Sequence, residues 1–237
     1  MVRTTIARVG GTALGVLFAA GAALRRGKAL HPSGVVFSAR LVVPGAAAAP
    51  QAAELLSRPA EYAAVVRFSR GLGLPDRMPD LFGLALRVCD AYGEGEHQDL
   101  LLTTSTDRPV LHHIVLPTRD AQARPYTSAT PFRAGGETFI VGALPSPESP
   151  RPAAGDQLTR LRAAAATGEL RFALAVARPF RRFTPVAELW IEDELPPEYD
   201  AMLFQPGSGG GGLAPVGVIN GMRRIAYPLA HRAWNRR

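Results

Sequence analysis

Cysteine is almost absent from this sequence, and aromatic residues are scarce. Among 237 residues there is one cysteine, Cys89, and aromatic residues make up 7%. A single cysteine excludes an internal disulfide, so the fold does not depend on an oxidising compartment and a cytoplasmic location is expected. Apolar residues nevertheless make up 47% of the chain, which is enough to bury a substantial core.

The sequence also lacks a long hydrophobic run. The most apolar stretch, residues 9–24, is flanked by Arg8 and by Arg25-Arg26, and it is shorter than the roughly 20 residues that a membrane-spanning helix needs. We interpret residues 1–26 as an apolar packing helix or an arm that lies on the domain. The alternative is membrane association through residues 9–24.

Positive charge is in excess, but it is not concentrated. The formal net charge is +7, yet Lys and Arg are spread over the whole chain and only residues 231–237 are locally dense. No helix-turn-helix, zinc-knuckle or RNP-like motif accompanies them, so nucleic acid is not an expected partner. There is no G-x-S-x-G hydrolase elbow, and Gly209 to Gly212 lacks the Lys-Ser/Thr of a phosphate loop.

Hydrophobic periodicity predicts a sheet with a few helices. From Ser33 onward, apolar residues alternate with period two in successive segments, which is typical of strands with one buried face. We expect an α+β protein built on a closed or nearly closed antiparallel barrel, in a single domain over residues 27–237. The predicted strands are 33–43, 61–69, 81–88, 98–104, 137–144, 171–177 and 184–191. The predicted helices are 51–56, 109–124, 156–167 and 217–237.

Five short segments, taken in their order along the chain, carry the main functional signal of the sequence. The first is Lys28-x-x-His31-x-x-Gly34, and the last is Arg223-x-x-x-Tyr227. Three segments lie between them. The second begins with Val66-Arg67-Phe68-Ser69 and continues with Gly73-x-Pro75-Asp76 and Pro79-Asp80-x-x-Gly83-x-Ala85-Leu86-Arg87. The third is Asp99-Leu100, and the fourth is Ala201-Met202-x-Phe204-Gln205-Pro206. The chain is thus similar to the catalase superfamily. This resemblance implies a catalase-like barrel that binds haem b and processes peroxides.

The resemblance makes Tyr227 the proximal ligand of the haem iron. Tyrosine is the axial ligand characteristic of catalase, and it binds iron as the phenolate, although its unperturbed pKa is about 10. Arg223 lies four residues earlier, on the same face of a helix, and its positive charge favours the phenolate. We therefore expect Arg223 to activate Tyr227, the predicted metal ligand.

The resemblance places His31 on the opposite, distal side of the haem. There it would act as a general base that takes a proton from hydroperoxide and returns it to the leaving oxygen. A dry apolar pocket would keep its imidazole neutral. Thr103 stands where the family has a distal asparagine and is expected to assist. Lys28 and Arg67 are expected to pair with the haem propionates, which need cations when partly buried.

Three departures from the family pattern bear on activity. Thr103 cannot offer the amide donor of asparagine, Trp234 stands where an arginine is expected, and Pro228 disfavours helical geometry at the residue before it. We expect hydrogen peroxide or an organic hydroperoxide to be used in a peroxidase, rearranging or oxidative tailoring reaction on a small-molecule substrate. The alternative is a haem-free, catalase-fold protein that binds a small molecule. We also expect a homo-oligomer.

Overall fold

The computed structural model describes residues 33–205 and 207–216, which form ten β-strands and four short helices. The strands are β1 (Ser33–Val43), β2 (Ala60–Arg70), β3 (Phe82–Val88), β4 (Gln98–Thr104), β5 (Tyr126–Thr127), β6 (Phe132–Ala134), β7 (Glu137–Pro145), β8 (Arg171–Ala177), β9 (Thr184–Glu194) and β10 (Leu213–Pro215). The α-helices are Glu54–Ser57 and Gln157–Ala165, and the 3₁₀-helices are Leu111–His113 and Pro197–Ala201. The predicted N-terminal arm and last helix lie outside the described residues.

Eight of the strands close into an antiparallel barrel. The strands β1 to β5 pair in sequence, β5 pairs with β7, β7 with β8, β8 with β9, and β9 returns to β1. The short strands β6 and β10 extend β7 as an antiparallel ribbon outside the barrel. The predicted α+β antiparallel barrel is therefore confirmed.

Side chains fill the interior of the barrel. Phe68 lies at its centre, with ring centroids 6.1 Å from Phe37, 6.2 Å from Tyr126 and 5.5 Å from Phe172. All four rings are buried, and the predicted alternation along β1 supplies inward-facing residues around them. These residues of β1 are Val35, Phe37, Ala39, Leu41 and Val43. Because the interior is a packed core, as in other small barrels, a large flat ligand has to bind outside it.

The helix predicted over residues 109–124 is wrong. Only Leu111–His113 is helical, as a single 3₁₀ turn. Pro117 interrupts the segment, and a proline inside a helix removes a backbone donor and clashes with the preceding turn. The backbone bonds to the barrel instead, and Leu116 N donates to Thr104 O at 2.8 Å. Neighbouring strands therefore supply the hydrogen bonds that a helix would have formed internally.

The helix predicted over residues 156–167 is confirmed with its N-terminal cap. The Asp156 carboxylate accepts a hydrogen bond from Thr159 N at 2.8 Å and precedes the helix Gln157–Ala165. Gly168, with a φ of 73°, follows the helix in the left-handed region that favours glycine. Within residues 33–205 and 207–216, no helix is long and apolar enough to cross a membrane.

Candidate functional site

A row of small residues lines the outer face of β1 to β4. Side chains alternate between the two faces of a strand, so residues next to inward-facing ones point outward. Ser69 pairs with Gly34 on one side and with Gly83 on the other, and Gly83 pairs with Thr103. We call these four residues the small-residue row. Two of the four are glycines, which leaves the outer face without a side chain at these positions.

Arg67 lies on the same outer face, next to this row. Its side chain is only 11% exposed, and its Nε donates to Asp200 Oδ1 at 2.8 Å. The guanidinium lies over Gly34, where an added Cβ would come within 2.7 Å of Nη2 and 2.8 Å of Cζ. Gly34 is therefore required for this position of the guanidinium. The predicted cation Arg67 is a buried, oriented group rather than a solvated charge at the edge of a strand.

A segment that we call the strap, residues 195–205, crosses the outer face from β1 to β4. Its polar contacts, in chain order, are Leu195 N to Val36 O at 2.8 Å, Asp200 Oδ1 to Arg67 Nε at 2.8 Å, Leu203 O to Arg87 Nη2 at 2.5 Å, and Gln205 N to Asp99 Oδ2 at 2.6 Å. The strap is thus bonded to the barrel at both ends, and the ion pair with Arg67 joins its middle to β2. Most of the predicted segment that begins at Ala201 lies within it.

The far end of the strap rests on a buried ion pair between β3 and β4. Arg87 donates to the two Asp99 oxygens at 2.8 Å and 2.7 Å, and the Asp99 side chain is 2% exposed. The hydrogen bond to Asp99 raises the pKa of Arg87 above its ordinary value. The guanidinium also lies 5.5 Å from the ring centroid of Phe204. The sequence analysis gave Asp99 no role beyond its place in the family-like order of segments. In the structure its carboxylate also accepts a hydrogen bond from the strap, at Gln205 N.

Thr103 and Thr104 point to opposite faces of β4. Thr103 lies on the outer face, half-buried, and its hydroxyl donates to Phe82 O at 3.3 Å. Thr104 is fully buried and accepts from Phe82 N at 3.2 Å. Two strand spacings and two residues separate Thr103 from Arg67, which places their Cα atoms about 12 Å apart. The structure therefore brings the predicted residues Arg67 and Thr103 to one face.

Four of the predicted site residues lie outside the described part of the chain: Lys28, His31, Arg223 and Tyr227. Their predicted roles stay predictions. One residue at the site, Asp200, was missed, because its partner Arg67 is 133 positions away and no local spacing signals the pair. Within the described ranges, no group of three or more His, Cys, Asp or Glu side chains could hold a metal ion.

Among the described residues, the feature that would suit a haem is a cation for its carboxylates. Gly34 provides a cradle in which the Arg67 guanidinium lies against the backbone, and a guanidinium suits the carboxylate of a propionate. These groups would hold the carboxylate-bearing edge of the ligand.

Comparison with known proteins shows a likeness in fold. No family model matches the sequence, and no curated protein matches it. The structure of a bacterial catalase is similar at a TM-score of 0.62 and 16% sequence identity, over 86% of this chain and 56% of that one. The chain thus spans little more than half the length of that catalase. At this identity the likeness concerns the fold alone, and the described residues have a catalase-like barrel fold.

Proposed function

We propose that this protein is a haem-dependent, catalase-like enzyme that uses hydrogen peroxide or an organic hydroperoxide. The observation that carries the proposal is the buried guanidinium of Arg67 beside the small-residue row on the outer face of a catalase-like barrel. The packed interior leaves this face for a large flat ligand. Residues 195–205 cross the same face and lead toward the chain end that contains Arg223 and Tyr227.

Each predicted residue has a distinct role in this proposal. Arg67 and Lys28 pair with the propionates, and Tyr227 binds the iron as a phenolate that the positive charge of Arg223 favours. When bound, the haem supplies an iron centre that activates the O–O bond of a peroxide. The outer face of the barrel would cover one side of the ligand.

On the distal side of the haem, His31 transfers the proton of the hydroperoxide and Thr103 assists it. His31, as a neutral imidazole, accepts the proton of the hydroperoxide and then donates it to the leaving oxygen, which avoids expelling a strongly basic anion. Thr103 offers a hydroxyl from the outer face that can hydrogen-bond the peroxide. Because threonine has no amide donor, we propose use of the peroxide on a small-molecule substrate, or rearrangement of an organic hydroperoxide, in preference to rapid dismutation.

A haem titration tests the proposal. Purified protein is titrated with haemin, and the Soret region is followed for a saturating shift at one equivalent. We expect such a shift in the wild type and in the control Arg133→Gln, which removes an exposed guanidinium on β6. Arg67→Gln should bind about tenfold more weakly, because a charge-assisted hydrogen bond is lost. A wild type without any shift after reconstitution would contradict the proposal.

A second candidate is a haem-free, catalase-fold protein that binds a small molecule. The observation that favours it is the ion pair between Arg67 and Asp200, because a carboxylate of the protein already occupies the guanidinium. In that case haemin would bind neither the wild type nor Arg67→Gln saturably. The same titration therefore separates the two candidates.

A further inference from the structure

The ion pair between Arg67 and Asp200 joins a largely buried cation to a more exposed carboxylate. Arg67 lies on β2 within the barrel wall, and its side chain is 11% exposed, whereas the Asp200 side chain is 34% exposed. The 3₁₀-helix Pro197–Ala201 that carries Asp200 contains no buried residue. The two ends of the strap bond to β1 and β4, and the ion pair lies between these two ends.

The carboxylate of Asp200 has the same chemistry as the carboxylate that a ligand would bring to Arg67. Both are anionic acceptors for the same guanidinium, and two carboxylates close to one cation repel each other. An incoming carboxylate must therefore displace Asp200 or share the cation at an electrostatic cost. The strength of ligand binding then depends on how firmly Asp200 holds Arg67.

We propose that Asp200 is an internal competitor whose carboxylate occupies Arg67 until the carboxylate of a ligand replaces it. The proposal rests on the proposed function and specifies which residue sets the affinity for the propionate edge of haem. Without ligand, the Asp200 carboxylate keeps the Arg67 guanidinium paired, because an unpaired buried cation is costly. With ligand, the exchange of partners preserves the pairing of Arg67 and frees Asp200 to reach water.

A purely structural role for Asp200 predicts the opposite effect of its removal. If Asp200 only fastens the strap, its loss loosens the site and weakens binding. If Asp200 competes with the ligand, its loss strengthens the binding of ligands that carry carboxylates. Ligands in which the carboxylates are esterified should then be unaffected. The sign of the effect and its dependence on the ligand carboxylates distinguish the two roles.

The experiment measures the dissociation constants of haemin and of haemin dimethyl ester for the wild type, Asp200→Asn and Asp193→Asn. Asp193 is an exposed residue of β9 near the start of the strap, and its substitution removes the same charge without touching Arg67. We expect Asp200→Asn to bind haemin about tenfold more tightly than the wild type at low ionic strength. A charge-assisted hydrogen bond contributes a binding free energy that corresponds to about this ratio of dissociation constants. The control and the ester titrations should change less than about twofold.

Each other outcome overturns a defined part of the account. Equal or weaker haemin binding by Asp200→Asn, with a normal wild-type titration, overturns the competitor role and leaves the proposed function standing. An equal gain with the ester shows that the ligand carboxylates are not involved and also overturns it. If haemin binds none of the three proteins, the proposed function and the competitor role fail together.

Discussion

Arg87 on β3 and Asp99 on β4 form a bidentate ion pair, with N–O distances of 2.8 Å and 2.7 Å. Each residue also holds the strap, because Arg87 donates to Leu203 O and Asp99 accepts from Gln205 N. The pair therefore couples the barrel wall to the segment that crosses it. Its loss should affect stability and the position of the strap together.

Asp99→Asn should be strongly destabilising. The substitution leaves the largely buried guanidinium of Arg87 without its anion, and breaking a buried ion pair in this way costs about 3–5 kcal/mol. The free energy of unfolding from urea denaturation measures the effect. Asp193→Asn, on an exposed part of β9, should change it by less than about 0.5 kcal/mol. Equal values for the two variants would show that the ion pair does not support the fold.

Phe68→Ala should be among the most damaging substitutions in the barrel interior. It removes the ring that contacts three other buried aromatic rings, and such truncations cost about 3–5 kcal/mol. Tyr126→Phe keeps the ring and loses only the hydroxyl that donates to Ala121 O at 2.6 Å, so it should cost about 1 kcal/mol. Thermal and urea unfolding check both values. A mild Phe68→Ala would contradict a packed interior.

Thr103→Val and Thr104→Val should affect different properties. Thr104 is buried and accepts from Phe82 N, so its loss leaves a buried donor unpaired and costs about 1–3 kcal/mol of stability. Thr103 faces outward, and its valine variant should stay within about 0.5 kcal/mol of the wild type while the rate of reaction with hydrogen peroxide falls. Thr104→Ser retains the hydroxyl and serves as the control for stability. The reverse pattern would place Thr104 at the site.

Stability should fall as the pH drops below about 6.5, the ordinary pKa of histidine. Burial lowers the pKa of His112, and the nearby Asp107 carboxylate opposes this effect only in part. The folded state thus binds fewer protons than the unfolded state, so His112 stabilises the fold above its unfolded pKa and loses that contribution as the pH falls through its folded pKa. Urea midpoints at pH 7.5 and pH 5 measure the change.

His112→Gln should flatten this part of the pH profile, because the variant cannot titrate there. The His112 ring packs 4.6 Å from the ring of Phe183, and its Nε2 lies 4.0 Å from Asp107 Oδ1. His97→Gln removes an exposed histidine instead and serves as the matched control. A profile that stays steep in His112→Gln would assign the acid sensitivity to another group.

The long strands could be predicted from the sequence because their alternation is unbroken. Residues 33–43 and 171–177 were predicted with the bounds that the structure has, since apolar residues that face the core occupy every second position in each. The strands β5, β6 and β10 were missed because they are two or three residues long, too short for any period to show. They form where a neighbouring strand offers backbone partners, which is a tertiary effect.

The site was only partly predictable for the same reason. Arg67 could be selected from its family-like segment and its place in an otherwise apolar strand. The structure shows that it is buried and paired with Asp200, and its role toward a propionate stays a prediction. Asp200 could not be selected, since it follows two prolines in a polar turn and meets Arg67 only through the closure of the fold. The contact between Asp200 and Arg67 could therefore not be predicted from the local sequence.

The absorption spectrum of the haem-reconstituted protein tests the central claim most directly, with wild type, Tyr227→Phe and the control Tyr199→Phe compared side by side. Tyr199 is a partly exposed tyrosine on the strap. We predict a ferric Soret band in the wild type and in Tyr199→Phe, and its loss or a marked shift in Tyr227→Phe, because phenylalanine cannot ligate iron. A wild type without a Soret band, or a Tyr227→Phe spectrum identical to that of the wild type, would contradict the account.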